Sequence, residues 1–214
     1  MSFGYPVMLE LAGRRCVVIG AQAIHEGKVE GLLAAGADDV LVVEPSLDDR
    51  FDDVAGVQVE RRPWRPDDLE GAFLAVASSD DGAARDAIAR EARALRVLVN
   101  VVDDIPHCDW AAPAVVRRGD LVLAIGTGGV SPAVARLVRE RLQAEFGAEW
   151  AEVLRVVGDV RRETLPSLPD LADRGRRWRQ ALDLDEAAGL IREGRGPQLR
   201  ELLRERLLGE RATS

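Results

Sequence analysis

Four short, nearly all-apolar runs, each set off by turn residues and helix-compatible segments, constrain this chain more than any other feature. They are Cys16-Val17-Val18-Ile19, Val40-Leu41-Val42-Val43, Ala72-Phe73-Leu74-Ala75-Val76-Ala77 and Val97-Leu98-Val99-Asn100-Val101-Val102. Runs apolar at every position, rather than at alternate ones, are the mark of strands covered on both faces, which means a parallel sheet joined by helical crossovers. Between the first two runs, Ile24, Val29, Leu32 and Leu33 are spaced for one buried helical stripe that Gly36 would end. A second helix is expected from Ala83 to Leu95. Val57-Gln58-Val59-Glu60 reads as a short edge strand, and Tyr5-Pro6-Val7-Met8-Leu9-Glu10-Leu11 as an extended lead-in suited to a sheet edge. With aromatics at 4%, the core must be built from Val, Leu, Ala and Ile.

The first strand runs into Gly20 and then a helix start at Ala21-Gln22-Ala23-Ile24-His25. Such a junction holds phosphate in dinucleotide-binding units, because a helix start offers unpaired N–H groups and the positive end of its dipole. The fingerprint there is Gly-x-Gly-x-x-Gly/Ala, and this chain supplies Gly20, Gln22 and His25 at the three positions. A side chain at Gln22 obstructs pyrophosphate, and His25 is expected to crowd the helix against the strand. Glu44 ends the second strand where an acidic residue accepts from ribose hydroxyls, which favours NAD over NADP; a solvated charge is the competing explanation. Ser78, Ser79 and Asp80 end the third strand, able to cap the next helix or face a nucleotide.

Asp103 and Asp104 end the fourth run at the sheet's carboxyl edge, where open α/β sheets place their chemistry. Neighbouring side chains point different ways, so one carboxylate is expected to face the site while the other caps the loop. His107, Cys108 and Asp109 follow in no standard ligand spacing, and no metal site is expected. The two cysteines, Cys16 and Cys108, provide no disulfide framework.

From Pro113 the pattern changes. Ala114-Val115-Val116-Arg117-Arg118-Gly119-Asp120 and Leu121-Val122-Leu123-Ala124-Ile125 form a predicted hairpin. Gly126-Thr127-Gly128-Gly129-Val130-Ser131-Pro132 then opens a helix through Phe146 with apolar residues at Val134, Leu137, Val138 and Leu142. The remainder is expected to be helical over Ala148 to Thr164, Leu182 to Leu190 and Pro197 to Leu208. Arg174 to Arg179 forms a locally basic run, suited to an acidic small molecule or partner if it is not simply a solvated helix face.

A net charge of -8 argues against general affinity for nucleic acid or anionic membrane. No apolar span approaches the roughly 20 residues that cross a bilayer. Met1-Ser2-Phe3-Gly4-Tyr5 lacks a leader pattern, so the expected location is cytoplasmic.

Taken together, the blocks Tyr5-Pro6-Val7-Met8-Leu9 with Gly13-Arg14, Lys28, Ser79-Asp80-Asp81, Val99 to Asp104, Cys108-Asp109, Pro113 to Val116 with Gly119, and Ile125 to Ala133 resemble the precorrin-2 dehydrogenase / sirohydrochlorin ferrochelatase family, the N-terminal part of siroheme synthase. The resemblance covers about Tyr5 to Leu142. It implies an α/β Rossmann-like NAD-binding domain over 1–112, a small α+β segment over 113–147 that dimerises by exchange between subunits, and a helical domain over 148–214. It also implies NAD-dependent oxidation of precorrin-2 to sirohydrochlorin, in some members followed by metal insertion. Asp103 matches the family's key aspartate, and Thr127 a hydroxyl lining its site. Family members carry a Gly-Gly-Gly run where this chain has Gly20-Ala21-Gln22, and a small residue in place of His25. The expected cofactor set is Gly20, Gln22, Ala23, Ile24, Glu44, Ser78, Ser79 and Asp80. The expected tetrapyrrole-facing set is Asn100, Asp104, Thr127, Gly128 and Ser131. The alternative function is a chelatase or tetrapyrrole-binding protein that has lost the redox step.

Overall fold

The computed structural model describes residues 4–25 and 27–209. Met1 to Phe3, part of the N-terminal stretch read from sequence, lie outside the described residues. The chain divides into two compact units, 1–112 and 113–214.

The first unit is a five-stranded sheet of order β3-β2-β1-β4-β5, formed by β1 (Arg15–Ile19), β2 (Asp39–Val43), β3 (Val57–Glu60), β4 (Leu74–Ala77) and β5 (Leu98–Val101). Every pairing is parallel, with Val17 opposite both Leu41 and Ala75. Alternate strand residues feed two separate cores, which explains why the runs are apolar throughout. Cys16, Val18, Val40, Val42, Leu74 and Val76 pack with Ile24, Val29 and Leu32 on one face. Val17, Ile19, Leu41, Ala75, Val99 and Val101 pack with Ile88, Ala89 and Ala92 of helix α3 (Gly82–Ala94) on the other.

Two sequence expectations are corrected here. The first crossover is not one helix but α1 (Ala21–His25) and α2 (Lys28–Ala34), with Gly27 between them at φ 72°, a left-handed conformation glycine adopts without a β-carbon penalty. The apolar stripe continues across the break because Ile24 and Val29 both reach the same core. The lead-in over 4–11 joins no strand, and Tyr5, Val7 and Met8 are exposed.

The second unit opens with the hairpin β6 (Ala114–Arg118) and β7 (Leu121–Ile125), turned by Gly119-Asp120 with Gly119 at φ 58°. Five helices follow: α4 (Pro132–Glu145), α5 (Glu149–Thr164), α6 (Leu171–Ala181), α7 (Leu184–Arg192) and α8 (Gly196–Leu208). Their core joins Trp150, Val153, Val156 and Val160 of α5 to Leu199, Leu203 and Leu207 of α8. Helix α6, absent from the three helices read from sequence, carries the basic run, and three of its arginines are engaged within the unit. Arg174 donates to the Leu168 carbonyl, Arg176 and Arg177 pair with Asp173, and Arg177 also caps α8 at the Leu207 carbonyl. None of these three arginines is set aside for an acidic ligand. No helix among the described residues is long and apolar enough to cross a membrane.

Candidate functional site

A cleft of about 530 Å³ lies at the carboxyl edge of the sheet, lined by Gly20, Ala21, Gln22, His25, Glu44, Ser78, Ser79 and Asp80. In the strand order, β2 and β3 run to one side of β1 and β4 and β5 to the other. The cleft therefore sits at the point where connections reverse direction, which is where open α/β sheets bind ligands.

Gly20 is held by the protein itself. Its φ is 91°, its N–H donates to the Val43 carbonyl at 3.1 Å, and a β-carbon there would lie 2.1 Å from the Ser78 carbonyl oxygen. Ser78, 5% exposed, turns its hydroxyl inward to accept from the Ala23 N–H at 3.0 Å. The cap takes one of the helix-start donors; the Ile24 N–H goes to the Gly20 carbonyl at 3.3 Å. Ala23 and Ile24 are thus withdrawn from the cofactor set, since both side chains are buried in the core and both amides are engaged. The cause is helical geometry: in so short a helix the residues facing the sheet cannot also face the cleft.

His25 is exposed and edges the cleft instead of pressing on the strand, so the expected crowding does not occur. Glu44 accepts at Oε1 from the N–H of Ser46 at 3.0 Å and its hydroxyl at 2.6 Å, closing its own turn while lining the cleft. Ser79 accepts at Oγ from the Asp81 N–H, and Asp81 in turn caps α3 at Ala83. Asp80 is exposed on the cleft rim.

The two aspartates after β5 separate in role. Asp103 is exposed, stands at φ 58°, and accepts at Oδ2 from Gln22 Nε2 at 3.0 Å. Asp104 faces inward: Arg85 Nε lies 2.9 Å from Oδ2 and His107 Nδ1 2.9 Å from Oδ1, with Asp86 Oδ1 3.0 Å from the other ring nitrogen. Burial works to raise the Asp104 carboxyl, but His107 and Arg85 prevail and hold it below the ordinary carboxylate range. Arg85 also donates to the Ser79 carbonyl at 2.7 Å, tying the end of β4 to the end of β5.

Asp104 is accordingly an anchor rather than a substrate-facing group. Asn100 is another: its amide donates to the Trp110 carbonyl at 2.9 Å and pins the loop after β5. Cys108 is buried, its Sγ accepting from the Val101 N–H, and burial raises its thiol. Thr127, Gly128 and Ser131 belong to the second unit. There the Thr127 hydroxyl donates to the Ser131 carbonyl at 3.1 Å, Ser131 caps α4 at Val134, and Gly128 supplies φ 62°. Among the described residues no group of three or more His, Cys, Asp or Glu is placed to hold a metal ion.

Sequence reasoning missed the Gln22–Asp103 hydrogen bond and the reach of Arg85. The first joins residues 81 positions apart and has no local pattern to betray it. The second had a signal in the arginine-rich face of α3.

Residues 7–114 match the family described as "Putative NAD(P)-binding". A siroheme synthase of Chromobacterium violaceum is 35% identical over 182 residues, covering 84% of this chain and 38% of that protein. One from Photorhabdus laumondii is 30% identical over 205 residues, covering 94% and 43%. The chain thus spans about two fifths of the length of the curated relatives it matches. A solved structure described as "SirC, precorrin-2 dehydrogenase" aligns with a TM-score of 0.71 at 24% identity, covering 92% of this chain and 99% of that one. These are the relatives to which the sequence resemblance points, and the last shares the Rossmann-like architecture followed by helices.

Proposed function

Since this chain belongs to the "Putative NAD(P)-binding" family over residues 7–114, we propose that it binds NAD in the cleft beside β1 and β4 and oxidises precorrin-2 to sirohydrochlorin. The observation that carries the reading is Asp103: an exposed carboxylate at the carboxyl edge of β5, hydrogen-bonded to a residue of the cleft lining. Solvent-facing carboxylates this close to a dinucleotide crevice are suited to proton transfer.

The residues fit the cofactor with one modification. Glu44, which lines the cleft from the end of β2, would accept from the adenosine ribose and disfavour a 2′-phosphate. Gly20, Ala21 and Gln22 would meet the pyrophosphate, the Gln22 side chain narrowing the approach, while Ser79 and Asp80 border the path toward β4. Bound NAD supplies a hydride acceptor. Oxidation of the macrocycle removes a hydride and a proton, and Asp103 takes the proton.

We further propose a homodimer built on 113–147. Helix α4 has no buried residue, and its Val134, Leu137 and Val138 form an exposed apolar stripe, continued in the turn before it by Val130, 87% exposed. Such a stripe on a helix with a polar opposite face is suited to burial against a second copy.

A second reading, a chelatase or tetrapyrrole-binding protein without the redox step, is favoured by Gln22 alone. Calorimetric titration with NAD and an absorbance assay of precorrin-2 oxidation separate the two. Saturable binding with turnover that disappears in Asp103→Ala upholds the dehydrogenase; neither binding nor turnover leaves the second reading.

A further inference from the structure

Gln22 occupies the position where the dinucleotide fingerprint has a glycine, and it does something a glycine cannot. We propose that Gln22 is a positioning residue: its side-chain amide donates to Asp103 and orients that carboxylate at the mouth of the dinucleotide crevice.

Asp103 has a fixed backbone and an otherwise loosely guided side chain. On its N-terminal side the Val102 N–H donates to the Ala77 carbonyl at 2.8 Å, and on its C-terminal side the Asp104 N–H donates to the Val101 carbonyl at 3.1 Å. Asp104 is further locked by Arg85 and His107. These restraints hold Asp103 at φ 58°, in the left-handed region that aspartate enters more readily than most residues with a β-carbon. They set the origin of the side chain and leave its direction open. The amide of Gln22, 3.0 Å from Oδ2, sets that direction.

Topology makes the contact more than a surface pairing. Strand β4 lies between β1 and β5, so a side chain rooted after β1 that reaches a residue after β5 passes the carboxyl end of β4. That end is Ser78, Ser79 and Asp80, the same residues that line the cleft with Gln22. Gln22 therefore belongs to the dinucleotide site by position and to Asp103 by hydrogen bond. Replacing the fingerprint glycine exchanges closer approach of pyrophosphate for a held base. Orientation of a catalytic group to within about an ångström is worth up to a hundredfold in rate.

This assignment rests on the dehydrogenase reading, and its signature is a split between KM and kcat. Gln22→Gly should lower the KM for NAD several-fold by opening the turn, and should also lower kcat about tenfold by releasing Asp103. Gln22→Glu, of equal length but unable to donate, should lower kcat as much while raising the KM for NAD. With Gln22 in place, Asp103→Ala should shift the Gln22 side-chain amide signals in a 1H–15N spectrum. A tighter KM with kcat unmoved overturns the assignment and leaves the dehydrogenase intact. Amide signals indifferent to Asp103→Ala also overturn it. Absence of turnover in the unaltered chain overturns the dehydrogenase reading, and this assignment with it.

Discussion

Gly20 and Ser78 approach so closely that a β-carbon on Gly20 would lie 2.1 Å from the Ser78 carbonyl oxygen and 2.6 Å from its hydroxyl oxygen. Glycine is therefore required for packing between β1 and β4, whether or not a nucleotide binds. Gly20→Ala combines that clash with a φ of 91°, and should cost about 3 kcal/mol or more. Urea unfolding of the variant checks this. An unchanged midpoint would mean the strands can separate at no cost.

Asp68 is 5% exposed and accepts from the two terminal guanidinium nitrogens of Arg62, at 2.6 and 2.9 Å, together with the Arg65 N–H at 2.7 Å. Asp68→Ala leaves the part-buried Arg62 with Glu60 as its remaining acidic partner and should destabilise by about 2 kcal/mol. Asp48→Ala, which breaks the exposed pair with Arg50, should leave stability nearly unchanged. Denaturation curves that rank the two variants the other way would refute the distinction.

Asp104 gives an acid dependence with a definite sign. Its carboxyl is held below the ordinary range by His107 and Arg85 against the opposing effect of burial. A depressed folded value contributes stability above the unfolded value of about 3.9, and loses it as pH falls through the folded one. Asp104→Asn should therefore cost about 2 kcal/mol at pH 5.5, and its gap from the unaltered chain should close as pH is lowered through 4 to 3. A gap that stays constant over that interval would show the carboxylate charge to be irrelevant.

The exposed stripe on α4 predicts that Leu137→Glu, at a position 65% exposed, yields a monomer in sedimentation while leaving the unfolding midpoint of dilute protein nearly unchanged. A chain that is monomeric before substitution would remove the dimer proposal.

The sheet was legible because each of its interior strands carries four consecutive apolar residues, a pattern that coverage on both faces explains. The break at Gly27 was not, because burial of Ile24 and Val29 in one core preserves helical spacing across it. For the basic run a helix face was one of the readings, but the partners of Arg174 and Arg177 were not legible, because sequence offers no way to tell a capping arginine from a solvated one. In the site, the division between Asp103 and Asp104 follows from chain geometry that any adjacent pair obeys. The fate of Asn100 does not, because its partner, the Trp110 carbonyl, is supplied by a loop whose path no local pattern fixes. Ala23 and Ile24 misled for a related reason: the fingerprint marks positions along the chain, whereas burial is decided by which face of α1 meets the sheet.

The strand order also has a consequence for how the protein comes into being. Val17 cannot complete its pairing until Ala75 has been synthesised, because β2, β3 and their connections intervene between the two neighbours of β1. Long-range parallel pairing of this kind is slow compared with formation of local helical contacts. The crevice, bounded by β1 on one side and β4 on the other, consequently does not exist in any shorter nascent chain. Its two walls meet only when β4 docks on β1, so the region that would receive a ligand depends on a pairing between distant parts of the chain.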